Sequence, residues 1–390
     1  MTTNNLFERP DSLGKLNDNV PLAEKIAYLH HNIKHQFDFI DRISIALYDS
    51  KTDTLKTYNH SSGGENPLSH YEAQLADTGS LSEIVQRGQP RVVQDLSIFA
   101  TGKNEHTARI AATGYRSSYT MPMYQNGEFI GFLFFNSLQT SRFTPECLRH
   151  IDVYGHLITS MVTNELAAIR TLVSTVQAAR DFTNHRDMET GAHIDRTAHY
   201  ARLIAKSLAD RYGFDDDYIE HIFLFSPLHD IGKISVPDTI LRKPDKLNDD
   251  EFAIMKTHTT KGRKIINDMI ADFGLNCIRH IDIMGNIAEY HHEAVDGSGY
   301  PAGLRGGEIP IEARISAVAD VFDALTTKRP YKEAWSNENA FALLRKLAGN
   351  KLDEDCVNAL IDNEHKVLEI QARFRDQGNG KTPPPNQEHL

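Results

Sequence analysis

Cysteine is scarce in this 390-residue chain: Cys147, Cys277 and Cys356 are the only three, and they stand far apart. That excludes a disulfide framework and a thiolate metal centre, and a reducing cytoplasm is the expected setting. No apolar run approaches the roughly 20 residues a membrane helix needs. The opening MTTNNLFERPDSLGK has no apolar core of the kind an export signal carries, so cleavable export is not expected. Positive charge is short as well. Lys and Arg total 42 against 53 Asp and Glu, a net charge of -11, which argues against broad nucleic-acid binding. Histidine, by contrast, is plentiful at 19 residues, and it is both a common metal ligand and a proton carrier.

The chain is too long for one hydrophobic core, so two or three domains are expected. Residues 1–21 read as a polar arm. From 22 to 145 the pattern is mixed. AEKIAYLHHNIKHQF (23–37) has helical spacing, ISIALY (43–48) and residues 54–58 read as strands, and 81–86 as a short helix ending at Gly88. Residues 90–96 read as a further strand. The clearest signal is SSYTMPMY, then Asn126-Gly127 in its turn, then FIGFLFFN: Asn-Gly between two apolar runs marks a hairpin. Pro122 suggests that the first of these strands is an edge or bulged. An α+β domain on an antiparallel sheet is expected.

Thr144-Pro145 is a good helix start, with a capping hydroxyl and a proline at the first helical position. Residues 146–181 then read as one long linker helix. Val162, Leu166, Ile169, Val173 and Val176 alternate four and three apart, a heptad-like seam. Such a seam fits a helix packed along its own domain, and equally a coiled coil between two copies. Residues 182–372 are strongly helical in pattern, and 373–390 read as a disordered, proline-rich tail.

In the helical part, histidines fall among carboxylates. Glu189 and His193 are four apart in ETGAH, which on a helix is one face. His229 and Asp230 lie in PLHDIGK, His258 in IMKTHTTKG, His291 and His292 in AEYHHEAVDGSGYP, and Asp320 in ISAVADVFDAL. His185, His199, His221, His280 and His365 read as ordinary surface or core histidines. Five imidazoles and three carboxylates, with no thiolate, favour first-row ions such as iron or manganese. Eight groups exceed what one ion needs. Paired ions about 3.5–4 Å apart are the usual device for cleaving phosphate esters, and Asp230 beside His229 is the natural bridge.

These strings resemble a known family. HDIGK, with His193 upstream and Asp320 downstream, resembles the HD superfamily of metal-dependent phosphohydrolases. HHEAVDGSGYPAGLRGGEIP and RISAVADVFDALTTKRPYK are similar to its HD-GYP subfamily, bacterial phosphodiesterases acting on cyclic di-GMP. The likeness covers residues 181–368, about half the chain, and implies an all-α helical bundle. It further implies that His193, His229, Asp230 and Asp320 hold one ion, with Asp230 bridging to a second held by His258, His291 and His292. Glu189 matches a position that helps hold a third ion in some members, so two or three divalent ions are expected.

One departure is a longer stretch between His258 and His291 (DMIADFGLNCIRHIDIMGN), expected to extend a loop or helix near the substrate cleft. Lys233, one turn after Asp230, can reach a phosphate oxygen, and Arg329 and Lys332 in KRPYK look like the family's phosphate-binding pair. Tyr300 is placed to stack on or hydrogen-bond the nucleotide, while Gly297 and Gly299 allow its loop to turn. Asp187, Asp296 and Asp323 are expected to orient ligands. The implied reaction is in-line attack of water on one phosphodiester, giving linear pGpG and, after a second cut, GMP. Rival readings are a hydrolase preferring hybrid cyclic GMP-AMP and a cyclic dinucleotide receptor with little turnover.

The amino-terminal part resembles a GAF domain, through ISIALYDSKTDTLKTY, GSLSEIVQRGQPRVVQDL and the hairpin. The resemblance implies a regulatory module, with a homodimer formed through it and the linker helix. No CxxC pair and no haem or tetrapyrrole attachment motif identifies a ligand. The expected whole is multidomain: an α+β GAF-like sensor joined by a long helix to an all-α HD-GYP bundle.

Overall fold

The computed structural model describes residues 11–63, 68–99, 114–182, 191–328 and 333–375. The first ten residues of the arm, the tail from 376, and Asp187, Glu189, Arg329 and Lys332 lie outside them. The chain divides into two compact units. The first joins residues 1–178 to 208–224 and 264–285; the second holds 179–207, 225–263 and 286–390. Among the described residues no helix is long and apolar enough to cross a membrane.

The first unit is built on a six-stranded sheet in the order β3-β2-β1-β6-β5-β4. Its strands are β1 (Arg42–Asp49), β2 (Thr54–Ser62), β3 (Glu72–Gln74), β4 (Arg91–Val93), β5 (Ser117–Gln125) and β6 (Glu128–Ser137), and every pairing is antiparallel. The Asn-Gly hairpin forms as the spacing predicts. Asn126 and Gly127 take φ of 52° and 86°, the left-handed pair that matches the twist of a two-residue turn.

Pro122 sits in β5, which is not an edge strand, because β4 pairs with it. That pairing stops at Thr120, so the missing N–H of Pro122 breaks no ladder on that side, and the register shifts just beyond, at Met123/Tyr124. The strand expected over 90–96 is shorter. Only Arg91–Val93 pairs, and a 3-10 turn begins at Leu96.

The central strands carry apolar side chains on both faces because both faces are covered. On one, the helix Leu22–Gln36 and the long helix Pro145–Phe182 bury Ile26, Leu29 and Ile33 with Ile151 and Ile158 against Ile43 and Ile45. Val162, Leu166 and Ile169 of the heptad-like seam are buried too, so within one chain that stripe is already covered. On the other face, Leu55, Leu75, Leu81, Ile84 and Phe132 form a smaller cluster under the helix Gly79–Arg87, which stops at Gly88 in the left-handed conformation.

The second unit is helical. Its central helix Gly191–Ser207 packs on Ile311–Thr326, Glu354–Ile361 and Glu364–Arg373. Tyr200 and Phe322 meet edge to face at 5.2 Å, and Phe322 stacks on Phe341 at the same distance. Of the longer stretch 268–286, residues 268–285 belong to the first unit.

Candidate metal centre

The ends of helices and two tight turns deliver the site. His193 lies in the first turn of Gly191–Ser207, and Asp320 projects from the middle of Ile311–Thr326. His229 and Asp230 sit between two consecutive 3-10 turns, Ser226–Leu228 and Ile231–Ser235. Pro227 starts the first of these, and Gly232 lets the second close. A capping box between Asn248 and Glu251 starts the helix Asp249–Lys256, and His258 opens the next helix. His291 and His292 follow the last turn of Asp282–Tyr290.

These side chains meet in two groups. One ligand atom from each of Asp230, His258, His291 and His292 lies within 4.8 Å of the others, and the same holds for His193, His229 and Asp320. Asp230 joins the two. Its Oδ2 is 3.2 Å from His229 Nε2, and its Oδ1 is 3.3 Å from His258 Nε2 and 3.7 Å from His291 Nε2.

In four of the five histidines the second ring nitrogen explains the first. Nδ1 of His229, His258 and His291 faces the carbonyl of Ser226, Met255 and Ile287 at 2.8–2.9 Å. A carbonyl only accepts, so each Nδ1 carries the proton and donates, which leaves the Nε2 lone pair pointing inward. His193 does the same through the carboxylate of Asp323, 2.7 Å from its Nδ1. Asp230 Oδ1, His258 Nε2 and His291 Nε2 are buried with no hydrogen-bond partner. Converging buried lone pairs of this kind are costly unless a cation takes them up, so the donor set fits metal ions.

The electrostatics agree. Burial alone would raise the Asp230 carboxyl, but Lys233 at 2.7 Å and His229 beside it hold it well below the usual carboxylate range. Burial pushes His258 down to about 4 and His292 to about 2, the latter helped by His291. At neutral pH these imidazoles are neutral, the form that binds a metal.

A model of the GAF domain matches residues 33–160, and a model of the HD domain matches residues 172–356. The chain carries a GAF domain followed by an HD domain. It is 41% identical over 202 residues to a probable cyclic di-GMP phosphodiesterase of Vibrio cholerae, covering 51% of this chain and 46% of that protein. It is 43% identical over 190 residues to the cyclic di-GMP phosphodiesterase response regulator RpfG of Xanthomonas campestris, covering 49% and 47%. A 3'3'-cGAMP-specific phosphodiesterase 2 of Vibrio cholerae is 40% identical over 191 residues, covering 49% and 34%. The chain spans less than half the length of each of these relatives.

Among the remaining expected residues of the HD domain, Asp323 is brought to the site. It accepts a hydrogen bond from His193 Nδ1 and two from Arg196, the latter at 2.6 and 3.0 Å. Asp296 is not brought to the histidines. Its carboxylate accepts from the Ser298 backbone and pairs with Lys351 at 2.8 Å, so it braces its own loop. Tyr300 stands over the histidines, its ring 4.8 Å from that of His292 and 6.4 Å from that of His258. Gly297 turns the loop with φ of 80°, and at Gly299 a Cβ would overlap the Ala294 nitrogen.

Three further residues complete this picture. Buried Glu293 accepts from the backbone of Ala302, Gly303 and Leu304 at 2.7–3.1 Å, clamping the loop behind Tyr300. Phe252 and Lys256, four apart on one helix face, meet Tyr300: the Lys256 amine is 4.8 Å from the Phe252 ring centre and 5.5 Å from that of Tyr300. Their sequence signal was the i, i+4 spacing just before His258. A third carboxylate–histidine group, Asp215, Asp217 and His280, lies in the first unit. Arg279 pairs with its Asp215 at 2.7 Å, which makes it an ion-pair cluster.

Proposed function

We propose that this chain is a metal-dependent phosphodiesterase that opens cyclic di-GMP to linear pGpG and cuts it on to GMP, with the GAF domain as its regulatory module. The observation that carries this reading is the set of Nδ1-anchored histidines whose Nε2 atoms converge on Asp230. The activities in the names of the relatives support the substrate. His193, His229, Asp230 and Asp320 would hold one ion, Asp230 with His258, His291 and His292 a second, and Glu189 would help hold a third. Iron or manganese suits these ligands. Such ions supply a nucleophilic water at neutral pH and neutralise charge on the attacked phosphoryl group.

The chain's own residues do the rest. Asp323, fixed by Arg196, holds His193 in one tautomer. Lys233, 2.7 Å from Asp230, lies at the edge of the site where a non-bridging phosphate oxygen can take its charge. Arg329 and Lys332 would grip the second phosphate of the ring. Tyr300 and half-exposed Phe252 offer a face on which a base can stack, with Lys256 between them.

Product analysis tests the reading. With iron- or manganese-loaded protein compared anaerobically, cyclic di-GMP should give linear pGpG. Tight nucleotide binding without linear product would make the chain a receptor instead. Faster turnover of hybrid cyclic GMP-AMP, the substrate in the names of three relatives from Vibrio cholerae, would reassign the substrate.

Lys256 adds a sharper expectation. Guanine presents two acceptors, O6 and N7, to a cation, whereas adenine sets an amino donor beside its N7. Lys256→Met should therefore reduce the preference for cyclic di-GMP over the hybrid, measured as a ratio of kcat/KM, by about tenfold. An unchanged ratio would remove Lys256 from base recognition.

A further inference from the structure

Lys56 is an unusual residue for its place. It lies in β2 with its side chain only 5% exposed, where a lysine is rarely found without a partner. Its ammonium pairs at 2.7 Å with Glu220, itself 7% exposed, and stands 4.5 Å from the centre of the Phe223 ring. Both belong to the helix Asp216–Phe225. That helix lies within the match to the HD domain, yet its residues up to Leu224 are part of the first unit. Its start is held as well, by the backbone N–H of His70, which donates to Asp216 Oδ1 at 2.8 Å. Toward its end, Leu224 packs against the main apolar core of that unit.

Stability alone does not account for such a pair. Removing two charges from water costs about as much as their attraction returns, and apolar side chains of similar volume often hold as well or better. A charge pair adds direction instead, because it is satisfied only over a narrow range of positions. The helix it holds runs on toward the metal ligands, with no glycine or proline between Asp216 and Ser226. Buried Phe225 stays right-handed helical, and Ser226 opens the next 3-10 turn. The Ser226 carbonyl accepts from His229 Nδ1 at 2.9 Å.

We propose that Lys56 is a positioning residue for the metal centre: through Glu220 and Phe223 it fixes the advance and rotation of the helix Asp216–Phe225, and with it the Ser226 carbonyl that orients His229. A residue of the GAF sheet thereby sets how firmly one metal ligand is held. That role presupposes the metal centre proposed above, and it is read out without recourse to turnover.

The test measures manganese affinity by calorimetry and amide hydrogen exchange between Ser226 and Lys233, both on the full chain. Lys56→Met combined with Glu220→Leu removes both charges and leaves apolar side chains in their place. It should fold, with a Tm within about 5 °C of the parent. It should nonetheless bind manganese about tenfold more weakly, as when the support of a ligand is loosened, and exchange those amides several-fold faster. For cyclic di-GMP, kcat should fall while KM stays within about twofold of the parent. Glu220→Gln, which keeps the shape of the side chain, carries the same expectation and decides the matter if the double variant does not fold. Arg87→Ala, which breaks an exposed pair with Glu83 in the same domain, should change none of these quantities. Parent-like affinity and exchange in both Glu220 variants would overturn the role of Lys56, as would an equal change in Arg87→Ala. Weaker binding and faster exchange in a chain whose parent opens no cyclic di-GMP would support that role while rejecting the phosphodiesterase reading.

Discussion

On the proposed phosphodiesterase reading, Asp230→Ala should lose metal binding and turnover of cyclic di-GMP together, the latter by on the order of 10³-fold or more. The two losses belong together because one carboxylate serves both histidine groups: Oδ2 faces His229, and Oδ1 faces His258 and His291. Removing it leaves the group of His258, His291 and His292 with no carboxylate to offset a dication, and the group of His193 and His229 with Asp320 alone. Lys233, whose ammonium lies 2.7 Å from Asp230, would lose that carboxylate and bring its positive charge to bear beside the place an ion must occupy. Repulsion adds to the lost ligand. Asp230→Asn keeps the shape without the charge, and separates the two contributions. It should retain more metal than the alanine variant, yet still turn over at least about a hundredfold more slowly than the parent. Metal content by elemental analysis and linear product by chromatography are the two readouts. Turnover within tenfold of the parent in Asp230→Ala would refute the bridging role.

The parts of this protein legible in its sequence share one property: their signals are local. Asn126-Gly127 determines a hairpin because only a few residue types accept two successive positive φ values. Thr144-Pro145 starts a helix because its orphan donors are met within one turn, with Cys147 N donating to Thr144 Oγ1 at 3.3 Å. The histidines were legible because each follows its own turn or helix signal. The missing parts are those made by chain segments far apart. Arg196 and Asp323 are separated by 127 positions and meet only when two helices pack. Glu293 stands next to His292, yet its task is to hold a loop about ten residues on, which no spacing announces.

Asp296 misled for the converse reason. Lying in the same string as the ligands, it reads as one of their supports, whereas Lys351, 55 positions away, pairs with it. The stretch 268–286 shows the limit at domain scale. Its length reads directly from the sequence, but the membership of 268–285 in the first unit depends on partners such as Asp215, which pairs with Arg279.

The contact between Gly232 and the helix that begins at His258 carries the other large expectation. A Cβ on Gly232 would overlap the carbonyl oxygen of His258 and stand 2.6 Å from the Gly262 nitrogen. Both are backbone atoms, so no side chain can swing aside. The turn and the helix must separate, and the turn carries Asp230 while the helix carries His258, which face each other at 3.3 Å. Gly232→Ala should therefore cost roughly 3 kcal/mol of stability or more. In whatever fraction folds, displacement of about 1 Å between those two side chains should lower turnover on the order of 10²-fold.

Gly262→Ala provides the control. The same two backbones are involved, but the nearest atoms to its Cβ are the Gly232 nitrogen at 3.3 Å and side-chain carbons of Ile231 and Ala288 at 3.4 and 3.5 Å. A shift of a few tenths of an ångström relieves it, so the effects on Tm and kcat should be several-fold smaller. If Gly232→Ala were as stable and as active as Gly262→Ala, the close approach would not be what holds the two halves of the centre together. Metal content measured alongside divides the possibilities: loss of ions at near-parent Tm would show that the glycine sets the spacing of the ligands rather than the stability of the bundle.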